Sequence, residues 1–223
     1  MSHTSQSTTL VFIRHAQAAD RDAHGNLRLA GQVDLPLTRH GRQQAEGLRQ
    51  LAPRLQPVDG LYTSTLRRAR GTAGPLAQAL RLDARPWRSL REISCGELDG
   101  LPVTEVRSRY PRLWDANLAQ ADEQFRWPGG ESYRSFRGRV LRAVRRIVQT
   151  HTGRRVVIVT HAGVISQVLG MLAGEPASRW ERFRPAPASL TEVGWRNATG
   201  TLLRFDVQWQ HLAAVSDASA VLV

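Results

Sequence analysis

The sequence contains no lysine: all 31 of its Lys/Arg positions are arginine, set against 19 acidic residues, for a formal net charge of +12 over 223 residues. Such an excess fits either a coding bias with a solvated basic surface or a partner or substrate rich in phosphate. A nucleic-acid interface gathers its basic residues into a stripe or a known module, whereas these arginines are scattered along the whole length, so no nucleic-acid partner is expected. Cysteine is nearly absent too. The lone Cys95 excludes an internal disulfide and suits a reducing compartment. No run approaches the roughly 18 apolar residues of a membrane span. The polar opening, residues 1–9, has no basic residue, and the apolar stretch after it is too short for a secretory signal. The expectation is a soluble, cytoplasmic protein without a membrane partner. Nor does any group of Cys, His and carboxylate residues have metal-ligand spacing.

There is no repeat, linker or compositional break. One domain over 1–223 is therefore expected, with a polar tail at 1–8 and an inserted cap segment at about 101–130. Leu10-Val11-Phe12-Ile13 reads as a buried strand that stops on Arg14-His15. A loop rich in Asp, Gly and Asn follows over 18–36. Thr38 then caps a helix over 39–51 that Pro53 ends. Strand 58–62 leads into Thr63-Ser64-Thr65, which can cap a helix over 66–80. A strand near 85–90, a helix over 102–114 started by its proline, and an irregular insertion over 117–130 come next. Residues 131–150 carry Phe136, Val140, Leu141, Val144, Ile147 and Val148 at helical spacing with arginines opposite. Val156-Val157-Ile158-Val159 repeats the opening design and ends on Thr160-His161. A helix over 164–172 and closing strands at 190–195 and 201–207, joined through Asn197-Ala198-Thr199-Gly200, complete an alternating α/β order; residues beyond 208 read as frayed.

Three strands thus end in Arg-His, Thr-His and Thr-Ser, the last before a helix with Arg67 and Arg68 in its first turn. In open α/β sheets such ends meet at one rim. There, two imidazoles, arginine side chains and the positive end of a helix converge as a site for a phosphoryl group. Histidine attacks phosphorus through an unprotonated nitrogen, and arginine offers a planar fork to phosphate oxygens. Helix geometry points Arg67 away from Arg68, into solvent. His24, His40, His151 and His211 lack a motif and read as surface residues, and Cys95 as a small packed side chain. Trp114, Trp127 and Phe125 read as packing the insertion, with an apolar pocket wall as the alternative.

The chain resembles the histidine phosphatase (phosphoglycerate mutase-like) superfamily through six motifs in the family's order. These are Arg14-His15-Ala16, the Gly31 to Gly41 segment with Pro36-Leu37-Thr38, Ser64-Thr65-Leu66-Arg67-Arg68-Ala69, and Leu90-Arg91-Glu92 with Gly96 and Gly100. Pro128-Gly129-Gly130-Glu131-Ser132 and Val159-Thr160-His161-Ala162-Gly163 follow. The resemblance implies a three-layer αβα sandwich on a mostly parallel sheet, and a metal-independent phosphatase without cofactor acting on a small phosphorylated substrate. It implies that His15 is the nucleophile, that Arg14, Arg68 and His161 hold the phosphoryl oxygens, and that Glu92 is the proton donor. Gln17, Arg21, Thr38 and Ala162 are implied as substrate-binding positions.

Departures bear on specificity. Ala16 stands where the family has glycine, Gln17-Ala18 where Glu-Thr is common, and Arg21 where many members have asparagine. Ile93-Ser94-Cys95 after Glu92 favours the phosphatase branch over a phosphoglycerate mutase. A non-catalytic phosphate-binding module is the other alternative.

Overall fold

A computed structural model of the chain describes residues 7–196 and 199–214. Its sheet is built from β1 (Thr8–Arg14), β2 (Gly60–Ser64), β3 (Ala84–Trp87), β4 (Arg155–Thr160), β5 (Ser189–Arg196) and β6 (Thr199–Gln208), in the order β3-β2-β4-β1-β5-β6. The pairings β1 with β4, β2 with β4 and β2 with β3 are parallel, while β5 runs antiparallel to both β1 and β6. The sheet is therefore mixed with one reversed strand, as the expected mostly parallel sandwich requires.

The central strands are apolar on both faces because both faces are covered. Val11 and Ile13 of β1 point to one side, where they join Val157, Val159 and the helices α1 (Arg39–Gly47), α2 (Ala52–Leu55) and α3 (Arg67–Leu80). Leu10 and Phe12 point to the other, with Val156, Ile158, α6 (Tyr133–Thr150) and α7 (Ala162–Leu172). The period of two along each strand sorts its side chains into these two cores. A third, smaller cluster of Cys95, Leu98, Val106 and Trp127 lies under α4 (Val103–Arg109) and α5 (Pro111–Ala119). Cys95 is packed there as expected, and burial with Asp99 and Glu92 nearby raises its thiol well above the usual range.

Several boundaries differ from the sequence reading. Pro53 does not stop the first helical region: a 3₁₀ turn, Leu48–Leu51, hands over to α2, where the proline sits in the first turn and its missing N–H is not needed. The helix expected over 102–114 is two helices broken at Tyr110, because the residue before Pro111 is disfavoured in the α region. α5 runs on through Asn117, inside the stretch read as irregular. The polar tail is shorter than expected, since Thr8 is buried in β1 and its hydroxyl donates to the His151 carbonyl (3.2 Å). His151 is not a surface residue: it is buried, with Nε2 at 3.0 Å from the Tyr62 hydroxyl. His24, His40 and His211 are exposed. Beyond Gln208 the chain forms α8 (Trp209–Ala214), and Trp209 packs on the first core, its ring against Gly47. Asn197 and Ala198 of the expected closing turn lie outside the described residues.

Candidate active site

The parallel register decides what meets at the carboxyl rim of the sheet. Arg14 pairs with Thr160 across β1 and β4, and Thr63 pairs with Val159 across β2 and β4. His15, His161 and Ser64 therefore leave the sheet side by side. The two imidazoles lie edge to face with centroids 5.1 Å apart, and His161 Nε2 is 2.8 Å from Ser64 Oγ. Ser64, read from sequence as a strand end and helix cap with no catalytic partner, is thus the residue that orients the second histidine. The signal that could have found it is its place at the end of a strand neighbouring β4, which needs the strand order.

The expected cap on α3 is different too. Leu66 caps the helix without a side-chain bond, and the Arg67 amide donates to Asp34 Oδ1 at 2.6 Å. A carboxylate from the 18–37 loop already meets this amide, so the positive helix end is not open to a substrate anion in the way the sequence suggested. What reaches the site from α3 is the Arg68 side chain. It is 1% exposed, with Nη1 donating to the Val33 carbonyl (2.6 Å) and Nη2 to the Gly31 carbonyl (2.7 Å). Gly31 has φ +26°, and a Cβ there would run into the Asp99 carboxylate, so glycine lets the loop present that carbonyl. Arg67 is exposed, as expected.

His15 Nδ1 is 2.8 Å from the carbonyl of Ala16. A carbonyl can only accept, so in the neutral ring the proton sits on Nδ1 and Nε2 keeps its lone pair. Burial, then the positive charges of Arg68 and Arg14, hold the His15 pKa well below 6.5, outweighing the Ala16 hydrogen bond. His161 is lowered in the same way by burial and by Arg68, His15, Arg14 and Arg139. Around the nucleophile candidate, Arg14 Nε, Arg68 Nε and His161 Nδ1 are buried nitrogens without a hydrogen-bond partner among the described residues. Unsatisfied buried polar nitrogens are costly and uncommon, and the two arginine donors beside the imidazoles mark a site shaped for acceptor oxygens. Arg14 is fixed by Nη1 on the Pro185 carbonyl at 2.6 Å.

Ala16 carries its methyl into the first core, away from this cluster, and its amide donates to Thr72 Oγ1 (2.9 Å), which itself donates to the Arg68 carbonyl (2.7 Å). The alanine therefore adds no bulk on the phosphate side, and Thr72 ties the nucleophile loop to the helix that carries Arg68.

Two histidines held neutral make the fold sensitive to acid. The unfolded chain takes up protons on these rings near pH 6.5 while the folded one does not, so their contribution to stability is complete above pH 6.5 and is lost as pH falls toward their depressed folded values. Urea melts between pH 6.5 and 5.5 should show stability dropping by up to about 1.4 kcal/mol per pH unit for each histidine. His15→Asn should flatten that slope; equal slopes in the two proteins would refute the assignment.

Glu92 stands on the loop after β3. Its Oε2 accepts from the Gly163 amide and its Oε1 from the Ile93 amide, both at 3.0 Å. The loop backbone is held by Arg139 of α6, which donates to the carbonyls of Ser89 and Arg91 at 3.0 Å and pairs with Glu131 at 2.6 Å. The Pro-Gly-Gly-Glu-Ser segment thereby gains a physical role: Glu131 anchors the arginine that splints the acid loop. A Cβ at Gly163 would collide with the Glu92 carboxylate. Gly163→Ala is therefore expected to push the carboxylate off the Ile93 and Gly163 amides, lowering stability by about 1–3 kcal/mol and kcat on an alkyl phosphate about 10²-fold. Unchanged kcat would show that the carboxylate position does not matter.

A cavity of about 340 Å³ opens over this rim, lined by Arg14, His15, Arg68, Glu92, Ala162 and Gly163 together with residues of the cap and the 18–37 loop. His161 is fully buried behind His15 and is not part of the lining. Gln17, Arg21 and Thr38 are not in the lining either. Gln17 Oε1 accepts from the Thr38 hydroxyl (3.0 Å), Thr38 Oγ1 caps α1 by accepting from Gly41 N (2.9 Å), and Arg21 Nη1 donates to the Gly25 carbonyl (2.7 Å). Trp114 and Trp127 do line it, while Phe125 packs edge-on behind Trp127. The two tryptophans both pack the insertion and wall the pocket. No helix among the described residues is long and apolar enough to cross a membrane.

Known proteins resemble this chain over most of its length. The glucosyl-3-phosphoglycerate phosphatase of Mycolicibacterium vanbaalenii is 32% identical over 204 residues, covering 86% of this chain and 84% of that protein. The metal-independent phosphoserine phosphatase of Arabidopsis thaliana is 28% identical, covering 74% of this chain and 68% of that protein. The solved structure of a mycobacterial glucosyl-3-phosphoglycerate phosphatase superposes with a TM-score of 0.79 at 26% identity, covering 91% of this chain and all of that one. The model of the histidine phosphatase superfamily, branch 1, matches residues 10–208, and the chain belongs to that superfamily.

Proposed function

We propose that this protein is a metal-independent phosphomonoesterase that cleaves a small phosphorylated metabolite in two steps through a phosphohistidine. In the first, His15 Nε2 attacks phosphorus, the N–P bond forms, the P–O bond to the alcohol breaks, and Glu92 gives its proton to the leaving oxygen. In the second, Glu92 takes a proton from water, whose oxygen displaces Nε2 and releases inorganic phosphate. Arg14 and Arg68 neutralise charge on the equatorial oxygens and the uncharged His161 ring offers them a hydrogen bond, and such positioning with electrostatics is most of what phosphoryl transfer requires. The observation that carries this reading is the lone pair of His15 Nε2, held available by the Nδ1 bond to Ala16 and surrounded by three unpartnered nitrogens. The names of the phosphatase relatives support the reaction class. Work in a reducing cytoplasm belongs to the same proposal, supported by the single cysteine.

The test is product analysis during turnover of a phosphate-labelled substrate panel. Acid-labile, base-stable label on the quenched protein and release of phosphate in step with the alcohol are expected. Conversion of 3-phosphoglycerate into 2-phosphoglycerate without free phosphate would overturn the hydrolase reading in favour of a mutase.

A further inference from the structure

The phosphate clamp accounts for only part of the cavity lining. An apolar cavity of about 150 Å³ already holds a benzene molecule, and this one measures about 340 Å³. Its apolar lining includes Leu29 from the 18–37 loop, Ile93 beside the acid, Phe136 of α6, and Trp114, Leu118 and Trp127 of the cap. The Trp114 and Trp127 rings are 6.5 Å apart and tilted by 37°. Trp127 is buried and backed by Phe125 at 5.1 Å, which stacks on Tyr133 at 5.8 Å, itself a lining residue. Leu118, by contrast, is 49% exposed at the cavity, an apolar side chain that folding leaves in water.

The charged lining outside the clamp is balanced: Asp20 and Glu181 against Arg28 and Arg184. Arg28 already donates to the Gly100 carbonyl at 2.9 Å, and Arg184 lies over the Trp180 ring at 5.8 Å. No net positive charge is set aside for a second acidic group on the substrate. A flat apolar group would gain by covering the two indoles and Leu118, whereas a carboxylate there would be stripped of water without compensation.

We infer that the substrate is a phosphomonoester whose alcohol carries a compact apolar or aromatic body and no second acidic group, seated on Trp114, Leu118 and Trp127 of the cap. The inference rests on the phosphatase reading above. Its test uses esters of primary alcohols, so that the departing oxygen is the same kind throughout: ethyl phosphate, sn-glycerol 3-phosphate, O-phosphoserine and 2-phenylethyl phosphate. The expected kcat/KM for 2-phenylethyl phosphate exceeds that for glycerol phosphate and phosphoserine by about 10- to 100-fold, the range that burying one ring supplies. Trp114→Ala should lower the ratio of 2-phenylethyl to ethyl phosphate about tenfold, and Leu118→Asp, at an exposed position where folding is not at stake, should lower the same ratio. Equal or better turnover of phosphoserine or glycerol phosphate, or an unchanged ratio in both variants, overturns the inference while leaving the phosphatase standing. Hydrolysis of none of the esters, p-nitrophenyl phosphate included, removes both.

Discussion

His15→Ala is expected to abolish turnover, lowering kcat by at least about 10⁴-fold, and to remove the acid-labile phosphate from the quenched protein. No other side chain can take over the attack. His161 is the nearest imidazole, but its Nε2 is engaged with Ser64 Oγ and it is fully buried behind His15. The loss should be one of chemistry and not of folding, because the His15 ring makes its hydrogen bond only to the carbonyl of its own neighbour, Ala16. Arg14 and Arg68 remain gripped by the carbonyls of Pro185, Val33 and Gly31, so the variant should still bind inorganic phosphate, seen as a phosphate-dependent rise in melting temperature. Activity within tenfold of the parent protein would remove His15 from the mechanism.

The second large effect is expected at Glu92, and its size should depend on the leaving group. Glu92→Gln removes the proton needed by an alkoxide, so kcat on alkyl phosphates should fall by about 10²- to 10⁴-fold. Nitrophenolate departs without help, so p-nitrophenyl phosphate should give a rapid burst of one equivalent of nitrophenol followed by slow turnover, since water attack on the phosphohistidine still lacks its base. The amide also leaves one of the two N–H groups of Ile93 and Gly163 without an acceptor, which costs about 1–3 kcal/mol of stability. That cost falls equally on both substrates, so their contrast isolates the proton. An equal loss on both, with no burst, would mean that Glu92 only supports the loop.

Much of this molecule was legible before folding was considered. Strictly local patterns dictated both faces of the sheet: Leu10 and Phe12 against Val11 and Ile13 alternate because successive strand residues point to opposite sides. The amphipathic stripe of α6 came from the helical period, and Arg14-His15 and Thr160-His161 could be recognised as strand ends because apolar runs stop there. Glu92 became visible only through the order of motifs, since no local period marks an acid, whereas Arg68 already stood in the first turn of a helix that follows a strand end. The sequence by itself therefore determined the α/β layering, the family and the residues at the rim.

The tertiary structure alone decided how those residues are held. That Ser64 orients His161, that Arg68 is pinned by carbonyls 31 and 33, and that Arg139 splints the acid loop all depend on contacts between residues 35 to 97 positions apart. The same is true of the Ala16 methyl turning into the core, of buried His151, and of an insertion whose helix α5 and the segment after it wall the cavity with Trp114 and Trp127. Side-chain period records which way a residue faces within its own element; it carries no information on which distant backbone will be there to meet it.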